Sequence, residues 1–256
     1  MSESGGNWRR RLNAIWDDSW FYSEQLEKRL IEQALREARP YAHGILLDVG
    51  CGRKPYAALF RDRVRQHLGL DYPPTVDQHM SSGYAAPEVD VYAAGEGLPI
   101  RTGAVDTVLC TQVLEHTPNP ARVMAEMACA LRGGGCLILT APQEWGLHQE
   151  PHDYYRYTRY GLEHLAREAG LRVEYIRPRG GIWAVLGQRW SAYLYDNYVR
   201  PFRRRGIRWA FLLSACFILP ACALTQLLAR GLDRLQFRPQ NTLGYILVAR
   251  KPAEDS

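Results

Sequence analysis

Two stretches of this 256-residue chain carry the residue types that do chemistry. The first is Pro142–Thr158, PQEWGLHQEPHDYYRYT, in which two histidines, two acids, three tyrosines and one arginine fall within residues 148–158. It is too polar for a core and too aromatic for an ordinary solvated loop. Imidazole is the natural proton acceptor near neutral pH, so His152 and His148 are candidate general bases. Asp153 would orient an imidazole or meet a sugar hydroxyl, and Tyr154 is a further candidate. Read more plainly, Asp153 pairs with Arg156 and Thr158 caps a following helix. The second stretch is the turn Asp48-Val-Gly50-Cys51-Gly52-Arg-Lys-Pro55. Glycines there let a ligand approach the backbone, and the helix start beyond them favours negative charge. Pro55 stands where a dinucleotide fingerprint has its third glycine. Asp71, 19 residues after Gly52, is placed to accept hydrogen bonds from ribose hydroxyls. A nicotinamide dinucleotide and an adenosyl group fit this turn equally well, and a bare tight turn with a solvated acid is the alternative.

These residues must be held by strands and helices in a definite order. Gly44–Val49 reads as a short apolar strand leading into the glycine turn, and Pro55 starts a helix reaching about Gln66. Further strands are expected at His67–Asp71, Val89–Val91, Val105–Cys110, Cys136–Thr140, Arg172–Arg177 and Leu243–Ala249. Helices are expected at Pro120–Leu131, Arg159–Ala169 and, ahead of the first strand, over 7–40, where Trp16, Phe21, Leu26, Leu30, Ile31 and Leu35 recur at helical spacing. Strands alternating with helices define an open α/β sheet with crossover connections. The expected organisation is an N-terminal helical segment (1–40), a catalytic domain (41–178 and 241–252) and an insertion (179–240).

Composition narrows the class. With 46% hydrophobic and 23% charged residues the chain is globular, not disordered or collagenous. The six cysteines form no C-x-x-C pair and no zinc-like spacing, so neither a disulfide framework nor a metal site is expected. The first forty residues are charged and carry no apolar leader, which points to a reduced, cytoplasmic setting.

The motifs taken in order resemble the class I S-adenosylmethionine-dependent methyltransferases, close to the group called type 11. They are Leu47-Asp-Val-Gly-Cys-Gly52, Gly69-Leu-Asp71, Gly97-Leu-Pro-Ile100, the block Val105–His116 ending in Leu-Glu-His, and Leu131-Arg-Gly-Gly-Gly135, and the resemblance spans about residues 45–178 and 241–251. It implies a doubly wound, mostly parallel seven-stranded Rossmann-like sheet with an antiparallel last strand, and S-adenosylmethionine as cofactor. By the same resemblance Asp48, Gly50, Cys51 and Gly52 line the methionine and ribose, Asp71 holds the ribose, Tyr72 packs on adenine, and Thr111 and Gln112 flank the methionine. Many relatives place an acid where Ala94 stands, so adenine recognition is assigned to groups near Gly95 and Glu96. Glu115 and His116 belong to a block shared by relatives of diverse substrates and are read as shaping the cofactor pocket, not as the base. The sulfonium methyl is already electrophilic, so the protein's task is alignment of the acceptor and removal of its proton.

Where the family has a short turn between its sixth and seventh strands, this chain has about sixty residues. Residues 179–239 hold ten Arg, two Asp and no Lys or Glu, a net of +8 that leaves −3 for the rest of a chain whose total is +5. Within them Trp209–Ala229 is uncharged. Pro220 in its middle is expected to break it into two half-helices too short to cross a bilayer. Basic flanks and the aromatic helix Ile182–Tyr198 suit an interfacial, monotopic contact of 182–235 with anionic headgroups at the inner face of the cytoplasmic membrane. The expected reaction is O-methylation of an amphiphilic or lipid-linked acceptor of sugar, quinone or prenyl type. The alternatives are a soluble small-molecule methyltransferase with a helical cap or dimer contact, and a non-catalytic cofactor-binding membrane module. Nucleic acid has no use for the uncharged run and is not expected as a partner.

Overall fold

The structure, a computed structural model, describes residues 24–73 and 88–253. The chain divides into two compact units, Ile31–Arg179 with Gly244 onward, and the residues up to Leu30 with Gly180–Leu243.

The first unit is built on seven strands: β1 Gly44–Val49, β2 Val64–Asp71, β3 Val91–Tyr92, β4 Val105–Thr111, β5 Leu131–Pro142, β6 Arg172–Arg179 and β7 Gly244–Arg250. Their order is β3-β2-β1-β4-β5-β7-β6. β1 pairs in parallel with β2 and β4, β2 with β3 and β4 with β5, whereas β7 runs antiparallel to both β5 and β6. A central parallel strand is buried on both faces, which is why β1, β4 and β5 are nearly continuous apolar runs. Successive side chains go to opposite faces. Leu47, Val108, Leu137, Leu139 and Leu247 pack with Met124 and Met127 of the helix Pro120–Ala130 and with Leu162 and Ala166 of the helix Arg159–Glu168. Leu46, Leu109, Ile138 and Val248 pack with Ile31, Leu35 and Ala38 of the first helix and with Phe60. We number the helices α1 (Gln25–Ala38), α2 (Ala57–Phe60), α3 (Pro120–Ala130) and α4 (Arg159–Glu168).

The strand order reverses between β1 and β4. In open α/β sheets that is where ligands bind, outside the carboxyl ends of the strands. The glycine turn follows β1, the Leu-Glu-His block follows β4 and the polar aromatic segment follows β5, so the fold delivers all three to one edge.

Several boundaries differ from those read in the sequence. The helix expected from Pro55 to Gln66 is the single turn α2, because Val64 and Gln66 are in register with Gly44 and Ile45 and extend β2 instead. β5 begins at Leu131, directly after α3. There Arg132 pairs with Asp106 at 2.7 Å and donates to the carbonyls of Gly103 and Ala104. A Cβ on Gly135 would meet the carbonyl oxygens of Arg132 at 2.9 Å and Asp106 at 3.1 Å, so the last residue of the Arg-Gly-Gly-Gly block answers to close backbone packing. Trp16 and Phe21 lie outside the described residues. The N-terminal helix, expected as a segment of its own over 1–40, is shared between the two units at Leu30.

The second unit contains α5 (Ile182–Tyr198), α6 (Arg200–Arg204) and α7 (Arg208–Leu235). The break expected at Pro220 does not occur, and α7 is one helix of 28 residues. Leu219 and Cys222, on either side of the proline, are buried against Tyr195, Val199 and Ser191, while Pro220 itself is exposed. Packing on α5 thus holds both halves in line across the one backbone hydrogen bond that proline cannot make. Gly187 permits the close approach of α5 and α7, since a Cβ there would sit 2.4 Å from that of Ala229. Asp233 of α7 caps α5, accepting from the N–H groups of Gly181 at 2.7 Å, Trp183 at 3.1 Å and Ala184 at 3.2 Å. In the same way the Gln226 and Gln188 side chains accept from the first N–H groups of α1, those of Leu26 and Glu27.

Candidate active site

The turn after β1 is tied to the end of β2. The N–H groups of Gly50 and Cys51 both donate to the carbonyl of Leu70, at 2.8 and 3.0 Å. The N–H of Gly52 donates to Asp71 Oδ2 at 2.8 Å, and that of Tyr72 to Asp71 Oδ1 at 2.7 Å. Gly50 and Gly52 have φ of 69° and 50°, in the region that favours glycine. A Cβ on Gly50 would lie 2.2 Å from Val113 Cγ2, whereas one on Gly52 would meet nothing within 4 Å. Gly52 therefore faces open space. Asp48 is buried, its Oδ2 is 2.9 Å from His67 Nε2, and its Oδ1 has no hydrogen-bond partner. Burial raises its pKa, and the neighbouring His67 and Lys54 oppose that rise. Cys51 is pushed up to about 12 by burial, so it is an inert thiol. Lys54, unremarked in the sequence, has φ of 48° and reaches Asp90 at 2.6 Å; Asp90 also accepts from Gly69 N at 2.7 Å. This clasp braces the turn from below.

Tyr72 is exposed next to Asp71. Gly95, on the loop after β3, packs beside Val123 of α3. Glu96 carries a buried Oε1 without a hydrogen-bond partner, and its carbonyl accepts from Arg122 Nε at 3.1 Å. Thr111 ends β4. Gln112 follows with φ of 55° and bonds twice to Thr140 of β5, from its backbone N–H and from Nε2, both at 3.0 Å. Its amide is therefore engaged with β5. That side-chain tie has no signature in the sequence.

The polar aromatic segment is strapped onto the residues after β4. Tyr157 Oη donates to the Leu114 carbonyl at 2.9 Å, Tyr155 Oη to that of Pro118 at 3.2 Å, and Tyr154 N to that of Glu115 at 2.8 Å. Asp153 accepts both terminal nitrogens of Arg156, at 2.7 and 2.8 Å, and Thr158 Oγ1 caps α4 by accepting from Gly161 N. The plainer structural reading of these residues is thus realised. The Arg156 guanidinium holds the Asp153 carboxyl down at about 2. Asp153 also accepts from His148 N at 3.0 Å and lies 3.4 Å from His148 Nδ1, so the imidazole beside it is that of His148 and not of His152. His152 is exposed, with Nδ1 3.2 Å from Tyr154 Oη. His116 stacks edge-on against His148, their ring centroids 4.6 Å apart, and its Nδ1 is 2.7 Å from the His152 carbonyl. Burial lowers the His116 pKa. Glu115 is fully buried and desolvation pushes it up to about 8, with Arg179 and Arg156 pulling the other way. That a Leu-Glu-His block would bury its acid against two imidazoles from different loops is a tertiary fact.

Residues 47–139 match the methyltransferase domain family. An uncharacterized methyltransferase of Mycobacterium sp. (strain JLS) is 30% identical over 190 residues, which cover 72% of this chain and 73% of that protein. A probable S-adenosylmethionine-dependent methyltransferase of Mycobacterium tuberculosis (strain H37Rv) is 38% identical over 98 residues, 38% of this chain and 35% of that protein. Among solved structures, the [4+2]-cyclase SpnF superposes with a TM-score of 0.53 at 22% identity, over 88% of this chain and 80% of that one. That last likeness is one of fold. The chain belongs to the class I S-adenosylmethionine-dependent methyltransferases and is an enzyme of that family.

Proposed function

We propose that this enzyme methylates a hydroxyl of an amphiphilic acceptor, with the glycine turn holding the cofactor and the strap after β5 handling the acceptor. The open space at Gly52 and the partnerless Oδ1 of Asp48 suit an adenosyl ligand of the kind the family uses. Each Asp71 oxygen accepts one backbone N–H and keeps a lone pair for a ribose hydroxyl. In this assignment Asp48, Gly50, Cys51 and Gly52 line the methionine side, Thr111 and Gln112 flank it, and Tyr72, Gly95 and Glu96 serve the adenine side. S-adenosylmethionine, when bound, supplies the electrophilic methyl.

The observation that supports the acceptor assignment is the strap itself: it follows β5, carries His148, His152 and the exposed Tyr154 and Tyr155, and is tied by hydrogen bonds to the residues that follow β4. With its Nδ1–H donated to Tyr154 Oη, His152 would offer Nε2 to an acceptor proton. His148 and Tyr154 are the alternatives for that proton, and Asp153 is a positioning residue. A hydroxyl needs such a base. The test is turnover of methyl-labelled S-adenosylmethionine on phenol, catechol, sugar and amine acceptors bearing an alkyl tail. Transfer to amines with none to hydroxyls would overturn the assignment.

The apolar character of the acceptor rests on α7. Trp209, Leu212, Leu213, Phe217, Leu224 and Leu228 are more than half exposed on it, and such a continuous apolar face has a use against lipid. Trp209–Leu235 is by length and composition able to cross a membrane. However, Arg179 pairs with Gly244, so the insertion leaves and rejoins the sheet at one point, which favours a helix lying in the interface over one crossing it. Flotation of the full chain with anionic vesicles at low salt tests this. Protein that stays unbound would make the face a subunit contact or a lid.

A further inference from the structure

Glu115, His116 and His148 each present one ligand atom, and these atoms lie within 4.8 Å of one another. We infer that the three side chains form a site for a divalent transition-metal ion, held between the turn after β4 and the strap after β5.

Glu115 is the starting point. It is 0% exposed, and neither carboxylate oxygen has a hydrogen-bond partner. Native proteins seldom leave a buried acid so, because the unmet oxygens cost desolvation without return. Its Oε1 is 3.9 Å from His116 Nε2, too far for a hydrogen bond. Ligands held ~2.1 Å from one ion lie ~3.0–3.4 Å from each other, so the set would close by up to about 1.4–1.8 Å when an ion binds.

The imidazoles are prepared for the same task. A carbonyl can only accept, so the contacts of His116 Nδ1 with the His152 carbonyl at 2.7 Å and of His148 Nδ1 with the Gly146 carbonyl at 3.1 Å place a proton on Nδ1 in both rings. Nε2 is left with its lone pair. Metal-bound histidines are oriented by this kind of outer contact, and Asp153, 3.4 Å from His148 Nδ1, adds a carboxylate behind one of them. Two nitrogens and one carboxylate suit zinc, manganese or iron(II) better than calcium, which prefers an all-oxygen shell. Access is open, for the His148 side chain is 30% exposed.

The opposing charges are Arg156 and Arg179. Arg156 is neutralised by Asp153. Arg179, buried, donates to the carbonyls of Tyr245 and Ala141, and Glu115 as its distant counter-ion is the competing explanation. If the enzyme acts on hydroxyls as proposed above, an ion here would take the acceptor oxygen as a ligand and favour loss of its proton to His152.

The test uses the full chain stripped with chelator and titrated with Co²⁺, followed by Zn²⁺, with visible absorption and calorimetry as readouts. The expected result is about one Co²⁺ per chain, with nitrogen–oxygen d–d bands that Zn²⁺ abolishes. Glu115→Gln and His148→Ala should each weaken binding tenfold or more. Because Glu115→Gln alters a buried residue, His148→Ala, at a partly exposed side chain, carries the test if the former fails to fold. Affinity unchanged in His148→Ala, no binding at all, or thiolate bands from the exposed Cys129 or Cys216 would each overturn the site. No acceptor or methyl donor is in the titration, so its failure leaves hydroxyl methylation standing, and failure of hydroxyl methylation leaves the ion site standing.

Discussion

The backbone N–H of Gly52 donates to the carboxylate of Asp71 at 2.8 Å, joining the turn after β1 to the last residue of β2. One acid thereby shapes the turn and, in the assignment proposed above, also holds the ribose. Asp71→Ala should weaken S-adenosylmethionine binding through lost charge-assisted hydrogen bonds, each about 1.5–3 kcal/mol, and should also lower the melting temperature. Calorimetry showing unchanged affinity in the folded variant would remove Asp71 from the site.

At Gly50 two constraints coincide, a φ of 69° and the side chain of Val113. Gly50→Ala should destabilise the protein and abolish cofactor binding. Adding Val113→Ala removes the 2.2 Å contact with Cγ2 but leaves Cβ at 3.3 Å and the backbone strain of about 1–2 kcal/mol, so the double variant should recover only part of the loss in a denaturant titration. Full recovery would show that the conformation there is unstrained.

His152→Ala should reduce turnover by about 10²–10⁴-fold with cofactor affinity nearly intact, if it removes the acceptor proton. A loss smaller than tenfold would pass the role to His148 or Tyr154.

Asp153 has its pKa lowered from 3.8 to about 2, first by its hydrogen bonds to Arg156. A depressed acid stabilises the fold above its unfolded pKa and ceases to do so as pH falls through its folded pKa. Its contribution should therefore be full at neutral pH and fade between about 4 and 2. Asp153→Asn should be less stable than the parent at pH 7, and the gap should narrow at pH 2 to 3 in chemical denaturation. A gap independent of pH would mean that the pair contributes through packing alone.

Phe217→Glu with Leu213→Glu places two charges on the exposed face of α7, away from the buried Leu219 and Cys222. Helical content and cofactor binding should be unchanged, and retention on anionic vesicles should fall at least tenfold. Arg203→Gln with Arg205→Gln should weaken retention by up to about 1 kcal/mol per charge, an effect that added salt reproduces. Equal retention of all variants would dissociate this face from lipid.

The sheet was legible in the chain because buried parallel strands must be apolar runs and each crossover needs its own turn and helix. Leu47–Gly52, Leu-Glu-His and Arg-Gly-Gly-Gly mark those turns by composition and order, and they carried the family as well. The pairing of Asp153 with Arg156 and the cap at Thr158 were likewise readable, since they connect residues three apart. The continuity of α7 through Pro220 was not, because it depends on Leu219 and Cys222 finding partners on α5. Nor was the position of Glu115 beside two imidazoles, one from its own turn and one more than thirty residues on. Local spacing fixes what neighbours in the chain can do, whereas a buried charge is defined by what the folded chain brings around it, and only the tertiary structure decides that.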